Sequence, residues 1–143
     1  MSLLHIVCQN CDGINRVQSE TLKQDPRCNA CKHLLFINGP LKLTTRNFNA
    51  HMANNDIPVL VFFWNSTCPL CKNMETAYAL VTSNMEPWIR VAKINTEQEQ
   101  SLAISNKISM SPTLILFKKG YEVSRKTEQM NAGDIMKWIT AYI

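Results

Sequence analysis

The sequence predicts an α/β fold, a mixed central sheet flanked by helices, preceded by a small four-cysteine segment. Three observations carry this. From about residue 41 onward, apolar runs of strand length alternate with segments of helical period. The run Val59 to Trp64 leads within a few residues to Cys68-Pro69-Leu70-Cys71, where helical spacing begins. The other four cysteines form two C-x-x-C pairs, Cys8 with Cys11 and Cys28 with Cys31.

In chain order, the two N-terminal pairs are separated by sixteen residues, inside the window for a zinc ribbon. Two knuckles at that spacing supply four thiolates, a closed tetrahedral shell that suits one structural zinc ion per chain. A pair of disulfides or an iron site is the alternative. His33 reads as an ordinary polar residue beside the second knuckle. The polar stretch between the pairs is expected to be a loop or short hairpin with little core. Asn38, Gly39 and Pro40 punctuate the chain, which gives a ribbon-like segment over 1–38 and a larger domain over 41–143.

In the larger domain, Thr45 is expected to cap a helix running to about Asn54, with Phe48 and Met52 as its apolar positions. Val59 to Trp64, with no polar residue, suits a strand covered on both faces and belongs at the centre of the sheet. From Pro69 a single helix is expected to about Ser83, with Leu70, Met74, Ala77, Tyr78 and Val81 on its inner face. Trp88 to Ile94 alternates as a strand does. Thr96 and Glu99 have capping-box spacing and should open a helix to about Lys107. Ser111 to Phe117 reads as a strand with Pro112 near its start, followed by a hairpin turn at Lys118 to Tyr121 and a last strand to Lys126. Asn131 should cap a final helix whose stripe is Ile135, Trp138, Ile139 and Tyr142.

The chemistry lies at Cys68 and Cys71. Pro69 fits the first helical turn, where its missing N–H is not needed. Cys68 then sits at a helix N-terminus, where free N–H groups and the helix dipole favour a thiolate. Cys71 is one turn on and can attack a mixed disulfide formed at Cys68. Two buried cysteines acting as small hydrophobes, or zinc with two further ligands, are the other readings of such a pair.

Composition narrows the function classes. The chain has 143 residues, 45% hydrophobic and 18% charged, enough to bury a core. The net charge of +4 is spread out, with no basic run, so no nucleic-acid partner is expected. No apolar run approaches the roughly 18 to 20 residues of a membrane helix, and no membrane partner is expected. The opening residues, Met1 to Cys8, lack the features of a secretory leader, which leads to the expectation of a cytoplasmic address. C-x-x-C pairing of all six cysteines suits metal binding or redox exchange in a reducing compartment.

Residues 41–143 resemble the thioredoxin family. The resemblance rests on Phe63 and Trp64 ahead of the C-x-x-C and Lys72, on Val91 to Asn95, and on Ser111 to Gly120. With its four N-terminal cysteines, and Asn15 and Arg16 after Cys11, the whole chain is similar to the zinc-binding bacterial branch of that family. The resemblance implies a bacterial thiol-disulfide oxidoreductase without an organic cofactor, acting on protein disulfides or thiols and served by a thioredoxin reductase. It implies that Cys68 is the nucleophile and Cys71 the resolving thiol. It also implies a cis Pro112, a substrate groove at Trp64, Thr67, Pro69, Leu70, Ser111 and Pro112, and a supporting buried lysine at Lys93.

The sequence departs from that family at several points. Pro69-Leu70 stands for the usual Gly-Pro between the cysteines, Thr67 for a Trp, and Phe62 for a buried Asp. Met110 and Glu128 replace small residues of the docking surface. A buried carboxylate beside a resolving thiol can take up its proton, and Phe62 cannot. The alternative function, from a different class, is a binding or scaffold module in which the ribbon docks a partner and the thiols turn over little.

Overall fold

The computed structural model describes residues 2–143, which form two sheets. Strands β1 (Leu3–Val7) and β2 (Ile14–Gln18) make an antiparallel hairpin with Val7 opposite Ile14. The segment between the cysteine pairs therefore contributes one strand of a short hairpin, over a small core. Ile6, Val17, Leu22 and Leu35 pack with the Cys8 and Cys28 side chains and with Ile57 from the larger unit. The period-2 pattern of β2 is disguised in sequence because Asn15, one of its buried positions, is polar. It donates to the Gly13 carbonyl and accepts from the Asn29 N–H, so its burial is satisfied.

The main sheet contains β3 (Leu41–Lys42), β4 (Val59–Trp64), β5 (Arg90–Asn95), β6 (Thr113–Lys118) and β7 (Tyr121–Lys126), in the order β3-β5-β4-β6-β7. As expected, β4 is central, parallel to β5 and antiparallel to β6. Its side chains alternate between two cores. Leu60 and Phe62 face helices α2 (Pro69–Asn73), α3 (Glu75–Met85) and α5 (Ala132–Thr140). Val59, Val61 and Phe63 face α1 (Phe48–Asn54) and α4 (Gln100–Ser105). Helices on both faces of the sheet explain why β4 carries no polar residue.

Several element limits differ from the sequence expectation, and tertiary partners for polar groups account for the helix starts. Helix α1 begins at Phe48 and not at Thr45, whose N–H is taken by the Glu99 carboxylate at 2.8 Å. The same contact removes Glu99 from the expected capping box, while the Thr96 hydroxyl donates to the Trp64 carbonyl. Asn95 accepts from the Glu97 and Gln98 N–H groups instead, and α4 opens only at Gln100 and ends at Ser105. β5 starts at Arg90, because Trp88 lies in a turn closed by its N–H on the Met85 carbonyl. The single helix expected after Cys68 is two, divided at Met74, so Leu70 is 44% exposed while Cys71, Met74 and Tyr78 are buried. The strand expected from Ser111 begins at Thr113. Asn131 caps α5 through the Asp134 N–H at 2.8 Å, and Ile135, Trp138 and Ile139 are buried; Tyr142 lies beyond the helix and is exposed.

The hairpin docks on the main unit through polar contacts. The Asp56 N–H donates to the His5 carbonyl and its carboxylate accepts from the His5 N–H, while the Val7 N–H donates to Asn55 Oδ1. Buried His51 on α1 faces Asn55 Nδ2 with Nδ1 and reaches the Asp12 carboxylate with Nε2, at 3.2 and 3.4 Å.

Two buried groups tilt stability with pH in opposite senses. Burial, with the Arg90 charge, pushes His51 from 6.5 down to about 3, so its neutral form is favoured in the fold. Stability from this source is present above 6.5 and is lost as pH falls toward 3. Burial raises Glu86 from 4.5 to about 7, so its contribution is present below 4.5 and is lost as pH rises toward 7. Between 4.5 and 6.5 the slopes oppose each other. Glu86→Gln removes one of them. Urea unfolding of this variant should show stability falling by about 1 kcal/mol per pH unit on acidification from 6.5 toward 5, where the wild-type profile is nearly level.

Candidate active site and metal centre

Cys68 and Cys71 form a disulfide, with Cα atoms 5.2 Å apart. Cys68 has extended backbone as the N-cap of α2, Pro69 occupies the first helical turn, and the Cys71 N–H donates to Cys68 Sγ at 3.0 Å. The geometry follows from sequence order. A central strand ends at Trp64, three residues turn the chain, and a proline starts a helix whose Cys71 N–H points back at the Cys68 sulfur. Cys68 is half-buried and Cys71 is 2% exposed, so an incoming reactant meets Cys68 first.

Asn65, absent from the site residues expected from sequence, organises the turn. Its Oδ1 accepts from the Thr67 N–H and hydroxyl at 3.0 and 2.9 Å, and its Nδ2 donates to the Ser111 hydroxyl at 3.2 Å. One side chain thus ties the loop before Cys68 to the loop before β6. The first bond is an Asx turn, a pattern legible in sequence from an Asn at a strand end. Glu97 holds the next residue, accepting from the Ser66 N–H and hydroxyl. The Ser111–Pro112 peptide is cis, as is Glu86–Pro87. Thr67, Pro69, Leu70 and Met110 are exposed around the disulfide loops, and Pro112 is buried.

A cleft of about 460 Å³ lies beside the disulfide, lined by Phe62, Trp64, Cys68, Cys71, Glu75 and Lys93 among others. Phe62 is 3% exposed and its ring packs on Tyr78 at 5.1 Å. The Tyr78 hydroxyl reaches the Leu60 and Ala92 carbonyls, so it is occupied by the sheet. Lys93 is half-buried with its ammonium 5.8 Å from the Trp64 ring centre, a cation–π contact where a carboxylate partner is absent among the described residues.

The four N-terminal thiols converge. Each knuckle has the same backbone frame. Cys8 and Cys28 donate N–H bonds to Gly13 and His33 carbonyls and accept at their own carbonyls from Asp12 and Lys32, both with positive φ. The Asn10 and Cys11 N–H groups point at Cys8 Sγ, and Asn10 Nδ2 at Cys31 Sγ. The Cys31 thiol is held down to about 6 chiefly by the His33 N–H, whereas burial pushes the Cys8 thiol up to about 12. Tetrahedral zinc with Zn–S near 2.3 Å requires sulfurs about 3.8 Å apart. Here Cys8 and Cys31 sulfurs are 3.6 Å apart, as are Cys11 and Cys28, and all four lie within 4.8 Å of one another. The donor set fits one ion. His33 is exposed and hydrogen-bonded near Asn10, outside this cluster.

A disulfide at the mouth of a helix, fed by the central strand of a mixed five-stranded sheet, defines the class: a thiol-disulfide oxidoreductase. The family model described as Thioredoxin matches residues 39–141, and the chain belongs to the thioredoxin family. It is 34% identical over 134 residues to Thioredoxin C-3 of Corynebacterium nephridii, spanning 94% of this chain and 92% of that protein. It is 35% identical over 82 residues to a thioredoxin of Porphyra purpurea, spanning 57% of this chain and 77% of that one. Among solved structures, a point mutant of a thioredoxin from Halobacterium salinarum NRC-1 superposes with a TM-score of 0.67 at 24% identity, covering 75% of this chain and 93% of that one, which bears on the fold.

Replacing Asn65 with Ala frees both loops. Steady-state reduction of a protein disulfide should then show a KM raised about fivefold with kcat nearly unchanged, the equivalent of one net hydrogen bond of about 1 kcal/mol. An equal fall in kcat would assign Asn65 to the chemical step instead.

Proposed function

We propose that the protein exchanges disulfides in protein substrates through a Cys68/Cys71 dithiol, and that its N-terminal cysteines hold a structural zinc, as in the zinc-binding thioredoxin 2 type. The observation that carries the redox reading is the Cys71 N–H on Cys68 Sγ at the helix mouth, with Cys71 buried behind it. In the reducing direction the Cys68 thiolate attacks one sulfur of a substrate disulfide. A mixed disulfide forms and one substrate thiolate leaves. The Cys71 thiolate then attacks Cys68 Sγ, forms the internal disulfide and releases the second substrate thiol, so two electrons pass to substrate. Trp64, Thr67, Pro69, Leu70, Ser111 and cis-Pro112 are read as the substrate groove, in which an extended peptide adds against the Ser111 backbone. Lys93 supports the thiols from the cleft.

Residues 1–38 are read as a zinc ribbon and residues 41–143 as the redox unit. A bacterial cytoplasmic setting, with a thioredoxin reductase as electron donor, accords with the C-x-x-C use of cysteine. The Cys8, Cys11, Cys28 and Cys31 thiolates would hold zinc in a closed shell whose contribution is folding energy.

Cys68→Ser should abolish turnover, whereas Cys71→Ser should trap mixed disulfides detectable by mass spectrometry. Turnover retained in Cys68→Ser would favour the scaffold reading. Insulin reduction should be slower than for a thioredoxin that carries a buried Asp at the position of Phe62. Phe62→Asp should speed resolution by Cys71 at some loss of stability, with Lys93 as its partner. Equal wild-type rates with no gain in the variant would refute this.

The pair should also be more oxidising than the thioredoxin value of about −270 mV, because Pro69 leaves the Cys71 N–H free to stabilise a Cys68 thiolate. Leu70 adds no charge, so the potential should stay well below the roughly −120 mV of the strongest oxidant of this kind. Equilibration with glutathione reads it directly.

A further inference from the structure

Arg90 opens β5 and is 1% exposed, a guanidinium in an apolar interior that redox chemistry does not require. Such a charge is tolerated only where its N–H groups find acceptors. Its two acceptors are main-chain carbonyls of the N-terminal segment, Val7 at 2.7 Å and Leu35 at 2.8 Å. Its cationic face lies 4.4 Å from the Phe36 ring centre, and Nε has no hydrogen-bond partner among the described residues. Both bonds and the ring contact therefore come from residues outside the main sheet. Glu86 is the nearby acidic group, but no hydrogen bond joins it to Arg90 among the described residues; its Oε2 accepts from the Val91 N–H.

Both acceptors are placed by the knuckles. Val7 immediately precedes Cys8, whose N–H closes the first knuckle on Gly13. The Leu35 N–H bonds the Pro26 carbonyl, and Leu34 bridges Arg27, the residue before Cys28. The core that orders these strands is small and includes Cys8 and Cys28 themselves. In a unit of this size, with no disulfide among these cysteines, a four-thiolate ion supplies much of the order. On the other side, Arg90 stands opposite Val59 and Val91 opposite Leu60, so β5 hands any displacement directly to the strand that carries the redox turn.

We propose that the metal centre serves the redox unit as a clamp: by fixing the Val7 and Leu35 carbonyls it keeps both terminal nitrogens of Arg90 hydrogen-bonded and so holds β5 and β4 in place. The inference rests on the reading that the four thiols bind a metal. Loss of the ion leaves a buried guanidinium facing mobile acceptors, and the sheet opens at the Arg90 end. Arg90 pairs with Val59 at the start of β4, so it holds the entry of the strand pair whose far end leads to the redox turn.

The test is amide hydrogen exchange on the full chain under anaerobic, reducing conditions, with zinc bound and after chelation. Metal analysis in each state shows whether one ion was present and removed. A chain that never held an ion fails the metal reading and removes the basis of the clamp with it. With an ion shown to bind, the amides of Val59 to Val61 and Val91 to Ile94 should exchange at least about tenfold faster after its removal, since hydrogen bonds to a buried charge are strong. Opening confined to residues 3–18 and 26–36, with β4 and β5 unchanged, would overturn the clamp. In Arg90→Met, which fills the site without charge, the metal-dependent change in β4 and β5 should shrink to less than about twofold. A change as large as in wild type would overturn the assignment to Arg90. The wild-type comparison decides the clamp even where this variant does not fold.

Discussion

β4 has no polar face, and most of the architecture follows from that. Its residues from Val59 to Phe63 are all buried, so it lies between β5 and β6 and requires helices on both sides. Leu60 and Phe62 demand the α2, α3 and α5 layer, and Val59, Val61 and Phe63 the α1 and α4 layer. A strand fixed this firmly delivers its C-terminal end to a defined place. Trp64, the Asn65 turn and Cys68 follow, and the helix dipole then acts on a sulfur that cannot drift.

The immediate surroundings of the disulfide give this centre its own chemistry. In place of a carboxylate the structure has Phe62 against Tyr78, and Lys93 turns to the Trp64 ring. No buried carboxylate is therefore placed among the described residues to accept a proton from Cys71, and Glu75 is the carboxylate that lines the cleft. The Cys71 N–H still reaches Cys68 Sγ. Leu70, between the two cysteines, and Met110, next to Ser111, are both exposed apolar side chains.

The N-terminal segment is joined to this unit largely by polar contacts. Asn55, Asp56 and Arg90 each offer side-chain groups to the backbone of the hairpin or its flanks. Such bonds are directional, and a buried one broken on one side leaves an unsatisfied partner on the other. An interface built this way holds a defined orientation, whereas a greasy one can slide.

Local chemistry along the chain was enough to establish the α/β class, the central place of β4, the helix start at Pro69, the Asn131 cap and the pairing of cysteines. Apolar runs, proline geometry, side-chain caps and ligand spacing all act within a few residues of one another. Where α1 and α4 begin is settled by folding, since Glu99 and Thr45 satisfy each other across 54 positions of sequence. The division at Met74, the exposure of Leu70 and the Asn65 link to Ser111 likewise emerge in three dimensions alone. Arg90 is the clearest case: along the chain it reads as one polar residue in an alternating strand, and it is buried because two carbonyls, from Val7 and Leu35, arrive from 83 and 55 residues away. No periodicity records a partner that distant, because the energy that permits the burial resides in groups that meet only after the chain has folded.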